Sequence, residues 1–275
     1  MTQLSLLQAA ILGVVQGLTE FLPISSDGHL AVTYGLMGQA PNLSFEVFLH
    51  AATLIAMLVY FWSDIVRLLS SLMPRNRDRS GDRKLVLLIG IGTVVSAVIA
   101  LVLSDVIEPL SSNPRAVAFG FLGTATLLIL AELADRRSKV LEGPHKLTWW
   151  QVGFVGLLQG LAVLPGLSRS GSTISGGMFF RLSREDAARF AFLLGIPIIA
   201  LASAKDTVDI LGGSSTLPGT WPVLVVGFLA AGLTGYLAIW GLLKFVKNHS
   251  LYWFAGYTAL LGATMLLAPT FFVRG

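Results

Sequence analysis

The chain of 275 residues is 54% hydrophobic and 12% charged, with 19 basic residues against 15 acidic ones. Soluble domains carry about 25% charged residues, so this composition argues against a soluble enzyme, a nucleic-acid-binding domain and a disordered regulator. The sequence holds no cysteine, which excludes disulfides and thiolate chemistry. We therefore expect an integral membrane protein, in which the excess of basic residues reports orientation.

Six apolar stretches are long enough to cross a bilayer as helices, which takes roughly 20 residues. They lie at about 45–62, 85–103, 116–133, 187–204, 221–243 and 251–272. Two further apolar regions, 4–38 and 149–180, are each interrupted by proline, glycine and serine, at 23–28 and at 165–171. The piece after each interruption measures roughly 15 Å as a helix, which is too short to cross alone.

Most of the basic residues lie in linkers on one predicted side of the membrane. They occupy 63–84, 134–148, 181–189 and the end of the 221–243 stretch. The positive-inside rule assigns these linkers to the cytoplasm and both termini to the outer side. Because 134–148 and 181–189 then lie on the same side, the 149–180 region must enter and leave by one face, as a re-entrant helix–loop–helix.

The two interrupted regions resemble each other in sequence. Residues 13–18 read GVVQGL and residues 156–161 read GLLQGL, and each is followed by Leu-Pro and a break. The pattern predicts inverted-topology repeats, 1–133 and 149–272, within one membrane domain of residues 1–275. A compositional likeness between two glycine-rich helices is the alternative. The predicted fold is all-α, with six transmembrane helices and two re-entrant hairpins.

The first interruption has an acidic side chain at membrane depth. Gln16 and Glu20 are four residues apart and share one helix face. A carboxylate at the bilayer centre costs about 2.5–3.5 kcal/mol, so we expect Glu20 to be paired, solvated or bound to a cation; a structural hydrogen bond is the alternative. The polar residues that follow are Ser25, Ser26, Asp27 and His29. The serines and the aspartate can be ligands or simply N-caps of the next helix, and the histidine can donate or accept a proton near neutral pH.

The second interruption supplies an arginine among hydroxyl groups, at 168–173. Arg169 requires an anion, either a carboxylate such as Glu20 or a phosphate. A helix begins after each interruption, and helix N-termini also favour anions. Glu20 and Asp27 would repel such an anion unless a divalent cation, Mg²⁺ or Ca²⁺, bridged them to it. Glu46 and His50 are predicted to be an interfacial pair.

Both interruptions resemble signature motifs of the undecaprenyl-diphosphate phosphatases of the bacitracin-resistance type. The first reads AILGVVQGLTEFLPISS followed by Gly28 and His29, and the second reads PGLSRSGST, similar to the family's Pro-Gly-x-Ser-Arg-Ser-x-x-Thr. Length, motif order and hydrophobic layout extend the likeness over nearly the whole chain. Two positions depart from the family pattern: Gln16 stands where glutamate is common, and Asp27 where threonine or serine is frequent.

The resemblance implies a bacterial inner-membrane enzyme that hydrolyses undecaprenyl diphosphate to the monophosphate and inorganic phosphate, with a divalent cation and a site open to the outer face. Its partners would be the polyprenyl diphosphate and the bilayer, without nucleic acid; a homodimer is left open. The alternative is a transporter or flippase of an anionic lipid or small anion, since inverted repeats are a transporter layout. We expect Glu20, Ser26, His29 and Arg169 to be catalytic, Ser25, Ser168, Arg169, Ser170 and Thr173 to bind phosphate, and Glu20, Asp27 and Gln16 to bind the cation.

The expected nucleophile is the Ser26 hydroxyl, activated by His29 or Glu20. Direct attack by an activated water is the second option. Either route requires the acid-bearing and the arginine-bearing interruptions to meet in the membrane interior, and the contact between Glu20 and Arg169 is therefore the geometric test of the whole interpretation.

Overall fold

The computed structural model describes residues 4–74, 78–111, 113–135, 140–211 and 219–267. Within these ranges the regular structure is helical throughout, and a short 3-10 turn at Pro144–Lys146 precedes α8. The predicted all-α membrane fold is confirmed. The helices are α1 (Leu6–Phe21), α2 (Ser26–Leu36), α3 (Leu43–Tyr60), α4 (Trp62–Ser70), α5 (Ser80–Val102), α6 (Ser104–Ser111), α7 (Pro114–Asp135), α8 (Trp149–Leu161), α9 (Arg169–Phe179), α10 (Arg184–Leu211), α11 (Trp221–Asn248) and α12 (Tyr252–Leu267).

Four helices in the described ranges are long and apolar enough to cross a membrane: α5, α7, α10 and α11. The helices α3 and α4 give a fifth span if they are counted together, although the chain bends by 69° between them. The helix α12 is apolar but 16 residues long, and the end of the predicted 251–272 stretch lies outside the described residues. Each of the six predicted stretches thus coincides with a helix, and within the described residues four of them, or five with the bent pair, have the length and hydropathy of a membrane span.

Each interrupted region forms two short helices, α1 with α2 and α8 with α9. Both breaks are earlier than predicted, because serine caps start the second helix of each pair. The Ser25 hydroxyl accepts from the Gly28 N–H at 3.4 Å, and the Ser168 hydroxyl accepts from the Gly171 N–H at 3.0 Å. The residues from Ser26 and Arg169 onward therefore belong to first helical turns, with their N–H groups directed at the break.

The two helix pairs are hairpins that enter from opposite ends of α11. At the second hairpin the Trp150 ring, near the start of α8, packs against Phe180 at the end of α9, with centroids 5.2 Å apart. The first hairpin has its open end in an apolar cluster that also contains the start of α11, at Val223. Beyond the other end of α11, the Leu251 N–H donates to Glu132, which also binds Arg184, four residues after Phe180. Opposed entry agrees with the predicted inverted topology, and the repeat limits 1–133 and 149–272 stay a prediction.

Glycines bring each hairpin close to a neighbouring helix. A Cβ on Gly17 of α1 would lie 2.4 Å from the Ala231 carbonyl oxygen of α11. A Cβ on Gly156 of α8 would lie 2.6 Å from the Gly92 carbonyl oxygen of α5. Small residues allow this backbone approach where lipid supplies no hydrophobic drive for helix association. Both breaks are thereby held inside the helix bundle.

Ion pairs join the helix ends on the side where α10 begins. Two guanidinium nitrogens of Arg184, Nη2 and Nε, donate to the Glu132 carboxylate at 2.6 and 2.8 Å, and Arg189 binds Asp64 of α4 at 2.8 Å. The bidentate contact with Arg184 explains how this carboxylate is buried at the end of α7.

Candidate active site

The two breaks meet through an ion pair between Glu20 and Arg169. Glu20 lies in the last turn of α1, and its side chain is only 2% exposed. Arg169 is the first residue of α9, and its Nη2 contacts Oε1 of Glu20. The expected contact between the acid-bearing and arginine-bearing breaks is confirmed. A buried carboxylate and a guanidinium compensate each other's charge, which permits both to lie within the bundle.

The second carboxylate oxygen of Glu20 collects three neighbours from the first half of the chain. The Ser26 hydroxyl donates to Oε2 at 2.6 Å, and Nε2 of Gln16 donates to it at 3.0 Å. Nε2 of His50 lies 3.5 Å from the same atom. Ser26 is thus held by a short hydrogen bond to a carboxylate, the arrangement that a serine nucleophile with an adjacent base requires.

His50 belongs to this cluster, so its interpretation as an interfacial residue is wrong. Its Nδ1 lies 2.8 Å from the carbonyl oxygen of Glu46. Because a carbonyl only accepts, Nδ1 carries a hydrogen and Nε2 faces the carboxylates of Glu20 and Asp27, the latter at 3.7 Å. The available signal was a histidine four residues after a glutamate within an apolar stretch; the packing of α3 against α1 was not readable from the sequence.

Asp27 is the open carboxylate of the site. Its side chain is 53% exposed and lines the same cavity as Glu20, with its Oδ1 near His50. Asp27 is also in the first turn of α2, where a negative charge interacts favourably with the helix dipole. This carboxylate is therefore positioned to receive a ligand from the cavity.

His29 points elsewhere. Its Nδ1 lies 2.7 Å from the Ser25 carbonyl oxygen, and its Nε2 lies 2.7 Å from the Tyr257 hydroxyl of α12. Its ring stacks on Tyr257 and meets the Phe121 ring edge-on. The structure does not bring His29 to the Glu20 cluster, although its contact with Ser25 lies directly behind the first break.

The predicted phosphate-binding hydroxyls of the second break bond to protein groups. Ser168 caps α9, and the Ser170 hydroxyl donates to the Leu22 carbonyl of the first break at 2.9 Å. The Thr173 hydroxyl donates to the Arg169 carbonyl at 2.8 Å. These three residues are buried and hold the start of α9 against the first break. Thr124, which the sequence analysis missed, bonds both the Gly166 carbonyl and the Ser168 N–H.

A cavity of about 210 Å³ opens beside the ion pair. One end is polar and the rest of the wall is largely apolar, so the cavity suits a ligand with a charged head and a hydrocarbon body. The polar end is formed by Glu20, Ser25, Ser26, Asp27, His50 and Arg169, and the remaining lining by Ser96, Ala100, Gln159, Gly160, Ala162, Val163, Leu167, Ile198, Ile199 and Ala202.

Sequence comparisons connect this site with known proteins. The model of the family described as bacitracin resistance protein BacA matches residues 9–264. An undecaprenyl-diphosphatase of Methanosphaera stadtmanae is 37% identical over 96% of this chain and 98% of its own length. Undecaprenyl-diphosphatases of Rubrobacter xylanophilus and Carboxydothermus hydrogenoformans are 39% and 40% identical, over 96% and 94% of this chain and 100% and 96% of their own lengths.

Proposed function

Because the chain belongs to the bacitracin resistance protein BacA family, we propose that it hydrolyses undecaprenyl diphosphate to undecaprenyl phosphate and inorganic phosphate. This reaction returns the lipid carrier to cell-wall synthesis and confers resistance to bacitracin. One observation carries the proposal. Ser26 lines a cavity with largely apolar walls and donates a hydrogen bond to the Glu20 carboxylate, which is itself paired with Arg169.

The distal phosphate binds at the polar end of the cavity. Arg169 lies there with a guanidinium that contacts Glu20 through Nη2, and its other nitrogens can bind phosphate oxygens. The first turn of α9 adds backbone N–H groups and a favourable dipole. The Ser25 hydroxyl lines the same end. These groups stabilise the charge that builds up on the transferring phosphoryl group.

Ser26 is the nucleophile in the reaction that we propose. Its oxygen bonds to the distal phosphorus while Glu20 takes the hydroxyl proton, and the bond from that phosphorus to the bridging oxygen breaks. Undecaprenyl phosphate leaves and accepts the proton from Glu20. A water then attacks the phosphorus of the phosphoserine and gives one proton to Glu20. The bond from the phosphorus to the Ser26 oxygen breaks, Glu20 returns that proton to the Ser26 oxygen, and inorganic phosphate departs. Glu20 is preferred to His29 as the base because it already accepts from Ser26 at 2.6 Å.

A divalent cation, Mg²⁺ or Ca²⁺, is part of the proposal. The described residues contain no group of three or more histidine or acidic side chains arranged as a metal site. Mg²⁺, however, commonly uses one or two carboxylates together with substrate phosphates. Asp27 offers a half-exposed carboxylate, Glu20 lies beside it, and Oε1 of Gln16 is buried without a hydrogen-bond partner. The Asp27 and Glu20 carboxylates line the cavity and fit a hard cation, which would neutralise charge on the diphosphate, whereas Gln16 does not line the cavity and is not placed to reach that cation.

The hydrocarbon tail leaves the cavity along its apolar wall and stays in lipid. Ile198 and Ile199 of α10 and Ala100 of α5 line that wall, and burial against them is favourable for a polyprenyl chain. We place the protein in the bacterial inner membrane with both termini outward and the site open to the outer face. The positive-inside rule supports this orientation, because the basic linkers lie on the opposite side.

The decisive experiment is phosphate release from C55 diphosphate by the purified protein in detergent, with Mg²⁺ and with EDTA. We expect release that requires the cation and is strongly reduced in Ser26→Ala. Acid quenching with substrate labelled in the distal phosphate should leave label on Ser26; turnover without trapped label, retained in Ser26→Ala, would assign the attack to water. Detergent removes sidedness, so an absence of release together with lipid translocation in vesicles would contradict the enzyme and support a transporter.

A further inference from the structure

We infer that Tyr257 is a positioning residue of this site: its hydroxyl fixes the His29 ring, and His29 holds the first break in the conformation that presents Ser26 to Glu20. The inference rests on the proposed function for its kinetic test. Two contacts connect α12 to the first break: Tyr257 contacts His29, and His29 contacts Ser25. Ser25 directly precedes Ser26.

The hydrogen bonds define the state of the His29 ring. The Ser25 carbonyl oxygen, 2.7 Å away, can only accept, so Nδ1 of His29 must donate to it. In the neutral ring Nε2 then has a lone pair, and the Tyr257 hydroxyl at 2.7 Å donates to it. One tautomer therefore satisfies both contacts, and loss of the hydroxyl leaves Nε2 without this donor.

The break that His29 holds is strained. Ser25 has φ +70° and ψ +104°, although it is not a glycine. Such a conformation is unfavourable for a residue with a Cβ and persists only where the surroundings enforce it. The cap from Ser25 to the Gly28 N–H is long, at 3.4 Å, whereas the contact from His29 to the Ser25 carbonyl is short. His29 is thus the stronger of these two restraints on Ser25.

Packing fixes the ring from the other sides. His29 stacks on Tyr257 with 5.6 Å between centroids and a 15° interplanar angle, and the Phe121 ring of α7 meets it edge-on at 5.4 Å. Gly28 allows this approach, because a Cβ there would lie 2.5 Å from the Phe121 ring. Phenylalanine has no polar group for the imidazole. The Tyr257 hydroxyl consequently supplies the directional contact, and the two rings supply the shape.

The test removes that hydroxyl and keeps the rings. Tyr257→Phe retains the stacking surface, so we expect the protein to fold, with only a small decrease in the thermal midpoint in detergent from the lost hydrogen bond. A lost hydrogen bond corresponds to roughly a five- to tenfold decrease in kcat, and we expect KM to stay unchanged because Tyr257 does not line the cavity. The matched control is Tyr236→Phe, a half-exposed tyrosine of α11 that packs on Tyr60 and should leave both constants unchanged. An unchanged kcat in Tyr257→Phe would overturn the inference.

A double-mutant cycle separates positioning from an independent role. If Tyr257 acts through His29, Tyr257→Phe should cause no further loss in a His29→Ala background. Multiplicative losses would overturn the inference.

A spectroscopic measurement keeps the test independent of turnover. With ¹⁵N-labelled histidine, the NMR signals of His29 should show protonated Nδ1 and hydrogen-bonded, unprotonated Nε2, and Tyr257→Phe should shift the Nε2 signal. Identical His29 signals in the two proteins would contradict the contact. If the parent protein releases no phosphate, the proposed function fails, while these spectra still decide whether Tyr257 fixes the ring.

Discussion

The two breaks have the same backbone plan and opposite chemistry. Each follows a helix with a glutamine near its C-terminal end, and each starts a new helix with a serine cap. In the first, Gln16 donates to Glu20; in the second, Gln159 donates to Ser96, and Val163 occupies the position that matches Glu20 at the 143-residue offset. The acid is confined to one break and the arginine to the other, so their meeting produces an attractive pair.

This difference separates the parts of the motif that build the scaffold from those that perform chemistry. Serine caps, glycines and glutamines appear on both sides and fix where each hairpin stops. The charged residues of the breaks, each present on one side only, are Glu20, Asp27 and Arg169, and all three line the cavity. Two acidic breaks would repel each other at this separation, and two apolar breaks would bind no diphosphate. Substitutions at one break or the other can therefore separate the two roles.

The largest effect is expected from Arg169→Met. Loss of the guanidinium should reduce phosphate release by at least roughly 1,000-fold, since the distal phosphate loses its charged partner. The substitution also leaves the buried Glu20 carboxylate without its guanidinium partner. Breaking a buried ion pair in this way costs about 3–5 kcal/mol, so the thermal midpoint should fall.

The double variant Glu20→Gln with Arg169→Met provides the control. Removal of both charges should restore the midpoint toward that of the parent, because no uncompensated charge remains, while activity stays absent. A midpoint that stays low in the double variant would indicate that the pair contributes more than charge compensation. Near-normal release by Arg169→Met would remove Arg169 from the chemistry.

A large effect is also expected when the serine that faces Glu20 is removed. Ser26→Ala should lower release by roughly 100- to 1,000-fold with little change in stability, because the hydroxyl is the proposed nucleophile. Ser168→Ala is the matched variant at the second break, where the hydroxyl caps α9. It should cost about 0.5–2 kcal/mol of stability and much less activity. Equal activity losses in the two variants would contradict the division between chemistry and scaffold.

The meeting of Glu20 and Arg169 could be predicted from sequence because three independent signals agreed. Both residues lie at breaks too short to cross a membrane, the basic linkers order the two hairpins, and an unpaired charge is costly at this depth. At the first break the serines were also readable as helix caps, and Ser25 bears that out; the cap formed by Ser168 was not predicted. Burial and helix periodicity thus predict which elements converge.

The orientation of the two imidazoles could not be predicted. His29 and Tyr257 are 228 residues apart, and no periodicity indicates that α12 turns a hydroxyl toward α2. His50 lies in an apolar stretch whose neighbours are decided by glycine-mediated packing of α1, α3 and α11. Sequence proximity favoured His29, yet the side-chain directions set by helix rotation bring His50 to Glu20.

A moderate effect is expected at His50, which marks a further difference between the breaks. The first break is faced by His50 of α3, whereas α10 presents Ile198 and Ile199 to the cavity. His50→Ala should lower release roughly tenfold, because the ring lies 3.5 and 3.7 Å from the carboxylates that it positions. The control is His249→Ala, which removes an exposed imidazole stacked on Phe245 at the end of α11. Indistinguishable kinetics of the two variants would exclude His50 from the site.

The smallest effect on catalysis is expected where the two halves are alike. A Cβ on Gly17 would lie 2.4 Å from the Ala231 carbonyl oxygen, and a Cβ on Gly160 would lie 2.9 Å from that of Ser96. Gly17→Ala and Gly160→Ala should each destabilise the protein by about 1–3 kcal/mol, since packed backbones must separate. Gly153→Ala on α8 has open space within 4 Å and should gain up to about 1 kcal/mol from helix propensity. Detergent melting curves give the ranking: if Gly17→Ala and Gly160→Ala melt like Gly153→Ala, close backbone approach does not hold the hairpins, and the shared scaffold must depend on the polar contacts between the breaks instead.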